Sequence, residues 1–180
     1  GSGPKLDKLV SIEDIKGFAQ KDLTTKYRAV GQAITRTKQS LPDKTALIGF
    51  SGAPWTLMTY LVEGGSSRDF AATKTFLWEN PNETHEIIDI LVDKIVEFLT
   101  LQATQGVNAL MLFDTWASTV PAGWRSALIY EPHQKIIKRM RKNGVDLPFI
   151  TFPKGIGEGL IAYANEVETN CIALDHHTDP

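Results

Sequence analysis

The chain has 180 residues, enough for one ordinary domain with a sizeable core. With 42% apolar residues, 22% charged residues and a net charge of −2, it shows neither the basic surface of a nucleic-acid binder nor the polybasic patch of an anionic-membrane binder. No apolar run approaches the roughly 20 residues of a membrane-spanning helix. The single cysteine, Cys171, forbids an internal disulfide and suits a reducing cytoplasm.

Residues 1 to 22 read as loop with at most one short helical turn. From Thr24 the pattern is helical, because Leu23, Tyr27, Val30 and Ile34 recur at a helical spacing on one face. Pro42 stops that helix. The run Thr45 to Phe50 predicts a buried strand, closed by the turn Ser51-Gly52. Pro54 then sits at the first position of a helix reaching about Val62. A glycine- and serine-rich loop from Glu63 leads to a short helix over about 69–78. Asn80-Pro81-Asn82-Glu83 reads as a capping-box start. The helix it opens runs to Gln105 and stops at Gly106, with Ile87, Ile88, Leu91, Ile95, Phe98 and Leu99 forming its apolar stripe.

The cycle then repeats. Strands are predicted over 108–113, 147–152 and 171–175, with helices over about 132–142 and 157–164. Four strands separated by helices predict an α/β fold built on a parallel sheet. No fixed-period repeat, low-complexity tract or linker divides residues 1–180, so a single domain is expected. The strands end at Ser51-Gly52, Asp114-Thr115, Lys154-Gly155 and Asp175-His176. In parallel α/β folds ligands bind at such carboxyl ends, which nominates these four corners.

Several chemistries compete for them. Gly49-Phe50-Ser51-Gly52-Ala53 is one residue from the nucleophile elbow of serine hydrolases, with Asp114 and His133 or His176 as candidate partners. The plain alternative is a turn before a helix. Asp175-His176-His177-Thr178-Asp179 has the composition of a metal cluster. Neighbouring strand residues point to opposite faces, however, so a solvated strand end is the better reading and no metal is expected. Asp114 or Thr115 could simply cap a following turn, and Tyr60, among Leu57, Met58 and Leu61, could be an ordinary core tyrosine.

The stretch from Ile48 through Gly49-Phe50-Ser51-Gly52-Ala53-Pro54-Trp55-Thr56-Leu57-Met58-Thr59-Tyr60 to Val62-Glu63-Gly64-Gly65 is similar almost letter for letter to the signature of the uroporphyrinogen decarboxylase family. Leu112-Phe113-Asp114-Thr115-Trp116, Phe152-Pro153-Lys154-Gly155 and Leu174-Asp175 resemble later strand ends of that family, in the same order. The resemblance implies a partial (β/α)8 barrel, about strands three to six. It implies removal of the acetate carboxyl groups of uroporphyrinogen to give coproporphyrinogen, without metal or cofactor, in a cytoplasmic enzyme whose full-length form is a homodimer.

The carry-over to residues is short. Tyr60 matches a catalytic tyrosine at the substrate. Thr115 matches a hydroxyl that binds a substrate carboxylate. Phe50 and Phe113 match aromatic walls of the cleft, and Lys154 matches a strand-end lysine. His176 departs from the pattern, since many members carry tryptophan there. The family's glutamine-alanine-glycine-arginine, phenylalanine-serine-aspartate and glycine-histidine-glycine segments do not occur in the 180 residues. The chain is therefore expected to be a central part of such an enzyme, inactive by itself. A related branch, the zinc methyltransferases, needs a His-x-Cys pair near Phe152 to Gly155, and no thiolate is available there.

Overall fold

The computed structural model describes residues 8, 11–21, 24–65 and 67–178. The four expected strands form one sheet: β1 (Ile48–Gly52), β2 (Ala109–Asp114), β3 (Phe149–Pro153) and β4 (Cys171–Ile172). They lie side by side in chain order and every neighbouring pair is parallel. The expected parallel α/β arrangement is therefore what forms. β1 begins three residues later than its pattern suggested, and β4 is two residues long rather than five.

The first correction concerns the beginning of the chain. A two-turn helix, α1 (Ile12–Ala19), stands where loop was expected. Its signal is a reciprocal cap at Ser11 and Asp14. The Asp14 N–H donates to Ser11 Oγ (3.1 Å) and the Ser11 N–H donates to Asp14 Oδ2 (3.2 Å). Ile15, buried, seats the helix in the core. α2 follows over Thr24–Ser40. Leu23, assigned above to its apolar face, lies outside the described residues.

α3 (Pro54–Glu63) starts on Pro54 as expected and ends on Gly64, whose left-handed backbone (φ 74°) lets its N–H close on Tyr60 O. α4 (Ala71–Glu79) is entered from Phe70, the one described non-glycine residue with positive φ (55°). α5 (Pro81–Thr104) carries the predicted stripe, with Ile87, Ile88, Leu91, Ile95 and Leu99 buried. Its predicted capping box does not form. The Asn80 side chain instead turns back to donate to Phe76 O at the end of α4 (3.4 Å).

Between β2 and α6 (Glu131–Lys142) the chain makes two short 3₁₀ turns and a π-helical turn over Ser126–Tyr130, so helical structure begins before the expected Pro132. α7 (Gly159–Glu166) precedes β4.

The strands' two faces differ. Gly49, Ser51, Leu110, Leu112, Asp114, Phe149, Thr151 and Pro153 are all buried on the face that α3 and α5 cover. The alternate residues Ile48, Phe50, Met111, Phe113, Ile150 and Phe152 form the other face, which is open or half-open.

Candidate active site

Alternation along each strand sends successive side chains to opposite faces, and this sorts the candidate residues. On the open face Phe50, Phe113 and Phe152 stand in a row across three strands. Phe50 and Phe113 meet edge-to-face with centroids 5.7 Å apart, and Phe113 meets Phe152 likewise at 6.2 Å. Phe50 is 59% exposed and Phe113 and Phe152 are half-buried, so the row stands on the uncovered face of the sheet. The structure thus brings the two predicted wall residues together and adds Phe152. The strand period could have found it, since Phe113 and Phe152 are register partners.

Thr115 follows Asp114 at the end of β2 and is half-buried, with no hydrogen bond to its side chain among the described residues. Tyr60 lies on α3, one turn beyond Thr56. It too is half-buried, and its phenol has no partner among the described residues. Lys154 closes the end of β3 through its backbone. Its N–H donates to Asp114 O (3.2 Å) and its carbonyl accepts from the Ser118 N–H (3.1 Å).

Behind the wall lies a buried polar chain that the sequence did not announce. Asp114, wholly buried, accepts a 2.6 Å hydrogen bond from Thr56 Oγ1 through Oδ1. Its Oδ2 lies 3.3 Å from His133 Nε2, an ion-pair distance without hydrogen-bond alignment. His133, also wholly buried, has its Nδ1 2.8 Å from the Tyr163 hydroxyl. Burial pushes the Tyr163 phenol well above its usual range. The Thr151 hydroxyl, near it but not aligned as a hydrogen bond, acts the other way. The Tyr163 hydroxyl and His133 Nδ1 share one hydrogen bond, its direction set by the imidazole tautomer.

This geometry settles the fate of the hydrolase constellation. Asp114 and His133 do meet, but Ser51 does not join them. Its Oγ donates to the neighbouring Gly52 carbonyl (3.0 Å), and no histidine is within hydrogen-bond reach of it among the described residues. The Asp175 cluster also differs from expectation. β4 stops at Ile172, so His176 and His177 do not alternate on a strand, and their rings lie tilted at 42° with centroids 3.8 Å apart. Asp175 Oδ1 accepts from the His177 N–H (2.9 Å) and Oδ2 from the Gly155 N–H (2.8 Å). These two backbone donors hold its carboxyl below the usual value. Asp179 lies outside the described residues.

A cavity of about 640 Å³ lies along the outer edge of β1, walled by α1, α2 and α5, with Phe50 in its lining. Its lining is apolar (Ile15, Val30, Ile34, Ile95 and Phe98 among others), and neither Tyr60 nor Thr115 reaches it. Odd-numbered residues of β1 direct their backbone toward β2, as shown by Asn108 N–H to Leu47 O and Ala53 N–H to Phe113 O. Even-numbered ones therefore face this cavity. There Gln102 pairs with Phe50, accepting its N–H (2.9 Å) and donating to its carbonyl (2.8 Å). Gly49 permits the approach, because a Cβ there would stand 2.8 Å from Gln102 Oε1.

In parallel α/β sheets ligands bind above the carboxyl ends of the strands, and this sheet carries hydroxyls and aromatic side chains there. The chain belongs to the uroporphyrinogen decarboxylase (URO-D) family, whose model matches residues 1–180. It is 37% identical over 173 residues to the uroporphyrinogen decarboxylase of Rickettsia bellii, an alignment covering 96% of this chain and 51% of the relative. It is 39% identical over 178 residues to that of Caulobacter vibrioides (97% and 49%), and 33% identical over 175 residues to that of Rhodospirillum rubrum (97% and 50%). The chain thus spans about half the length of the curated relatives it matches. Among the described residues no helix is long and apolar enough to cross a membrane.

Proposed function

We propose that residues 1–180 form a single domain-sized part, about strands three to six, of a (β/α)8 barrel that decarboxylates the acetate side chains of uroporphyrinogen to give coproporphyrinogen. The observation that carries this reading is the row Phe50, Phe113 and Phe152, left open on the sheet face that α3 and α5 do not cover, in a chain matching the family along its whole length. An inward-facing row of this kind suits the flat, apolar core of a tetrapyrrole. The apolar cavity beside β1 suits the strand and packing that would precede β1 in a closed barrel.

The chemistry asks little of a cofactor. A ring-protonated pyrrole can accept the electron pair left when an acetate carboxylate departs as CO2. The protein has to orient the ring, hold the carboxylates and desolvate the one that reacts. Tyr60 and Thr115 supply neutral hydroxyls for orientation, Tyr60 near the reacting centre and Thr115 on a carboxylate. The full-length enzyme is taken to be a cytoplasmic homodimer.

Two measurements test the proposal. The isolated 180-residue chain should form no coproporphyrinogen, and measurable turnover by it would refute the division of labour. In an enzyme of the relatives' full length containing these residues, Tyr60→Phe should lower kcat/KM by roughly one to two orders of magnitude. That follows if a hydrogen bond worth about 1.5–3 kcal/mol to a charged group is made fully in the transition state. Thr115→Val should mainly raise KM. Both variants should keep their melting temperature, because each retains the parent's shape. Unchanged kinetics in both would remove Tyr60 and Thr115 from the site.

A further inference from the structure

We propose that Thr56 is a positioning residue that sets Thr115 by holding the residues on either side of it. This rests on the reading of Thr115 as a substrate contact.

One hydroxyl makes both attachments. Thr56 Oγ1 donates to Asp114 Oδ1 at 2.6 Å and accepts the Trp116 N–H at 3.2 Å, so it straddles Thr115 from behind. Asp114 ends β2 with its carboxylate buried on the helix-covered side, and Thr115 opens the turn that follows, between the two residues that Thr56 holds. Thr56 and Asp114 are both buried, so water cannot substitute for the bond between them.

The two flanking residues are themselves immobilised. His133 faces the second oxygen of Asp114 at 3.3 Å and is fixed by Tyr163 at 2.8 Å, so the carboxylate cannot swing away. On the other flank, the Trp116 carbonyl accepts from Trp55 Nε1 (3.2 Å) and Thr119 Oγ1 (2.7 Å). The Trp116 ring lies 4.7 Å from that of Phe70, the residue held at positive φ. Thr115 is left with little freedom beyond its own side-chain rotation. Thr56 also sits one turn before Tyr60 on α3, so the same hydroxyl fixes the spacing between the two proposed contacts.

A hydrogen bond that serves folding alone and one that sets Thr115 differ in a double-mutant cycle. In an enzyme of the relatives' full length, Thr56→Val removes donor and acceptor at nearly constant shape. It should raise KM about ten-fold with kcat little changed, and Thr56→Ser, which restores the hydroxyl, should recover most of the loss. In a Thr115→Val background, Thr56→Val should cost nothing further in kcat/KM, because the group it positions is gone. If Thr56→Val unfolds the protein, Thr56→Cys, similar in shape and far weaker as a hydrogen-bonding group, carries the same cycle. An equal loss in both backgrounds overturns the proposal while leaving Thr115 as a substrate contact. Unchanged kinetics in Thr115→Val alone overturns that contact, and the positioning role with it.

Discussion

The two faces of the sheet are built from the same strands, one residue out of phase, yet they meet different demands. The covered face buries Leu110, Leu112 and Phe149 completely, and even its polar members, Asp114 and Thr151, are sealed from water. The open face is just as apolar, with Ile48, Phe50, Met111, Phe113, Ile150 and Phe152, but Phe50 and Ile48 are largely exposed. Apolar residues on both faces are the mark of a parallel sheet destined for burial on both sides. Composition alone therefore cannot separate a core from a ligand-binding wall. What separates them is which face the crossover helices occupy, and where the polar groups sit: sealed from water behind, half-exposed at the rim in front.

The comparison breaks most visibly in stability. Phe149→Ala should destabilise the protein by about 3–5 kcal/mol, the cost of a cavity in a packed core. Phe113→Ala removes a ring of the same size from the open face. It should forfeit mainly two edge-to-face contacts, each worth about 0.5–1.5 kcal/mol beyond area burial. Urea unfolding of each variant at constant m-value checks this. Equal losses at the two positions would mean that the open face is core, and the reading of Phe50 and Phe113 as a cleft wall would fail.

The sheet itself was legible in the sequence because it is a matter of periodicity. Four apolar runs bounded by glycine and polar residues, with a helical stripe between, admit little else. Strand lengths were less legible. β4 ends at Ile172 because Asp175 folds back to cap Gly155 and His177, a choice made by tertiary geometry and not by local propensity. α1 was missed although Ser11 and Asp14 carry a reciprocal cap, because eight residues make a short pattern; Ile15 is buried and Ile12 packs beside the core. The cap assigned to Asn80 failed because two helices compete for that residue, and α4 takes its side chain.

Of the candidate site, both the aromatic pair and the hydroxyls followed from family resemblance. Of the chain Thr56, Asp114, His133 and Tyr163, only the meeting of Asp114 and His133 was anticipated, within the hydrolase alternative; the rest joins residues from α3, β2, α6 and α7 that the packed fold brings together.

A smaller effect sharpens the same contrast at two aspartates, one at the end of β2 and one in the turn beyond β4. Asp114 is buried and answers to side chains, whereas Asp175 lies at the rim and answers to the backbone N–H groups of His177 and Gly155. Those donors favour the carboxylate, so the folded-state pKa of Asp175 is below its unfolded value of 3.8. Between the two values the unfolded chain binds the proton more readily, and stability rises with pH. The contribution is therefore fully present above about pH 5, begins to fade as the pH falls through about 4, and is gone below the folded-state pKa. Asp175→Asn keeps one carbonyl acceptor but loses the charge and the second acceptor. It should lower the melting temperature slightly at neutral pH, and the gap between parent and variant should close as acid protonates the parent. Melting curves across the acid range decide it. A gap that stays constant down to about pH 2, below ordinary carboxyl values, would show that the carboxylate charge does not hold the rim.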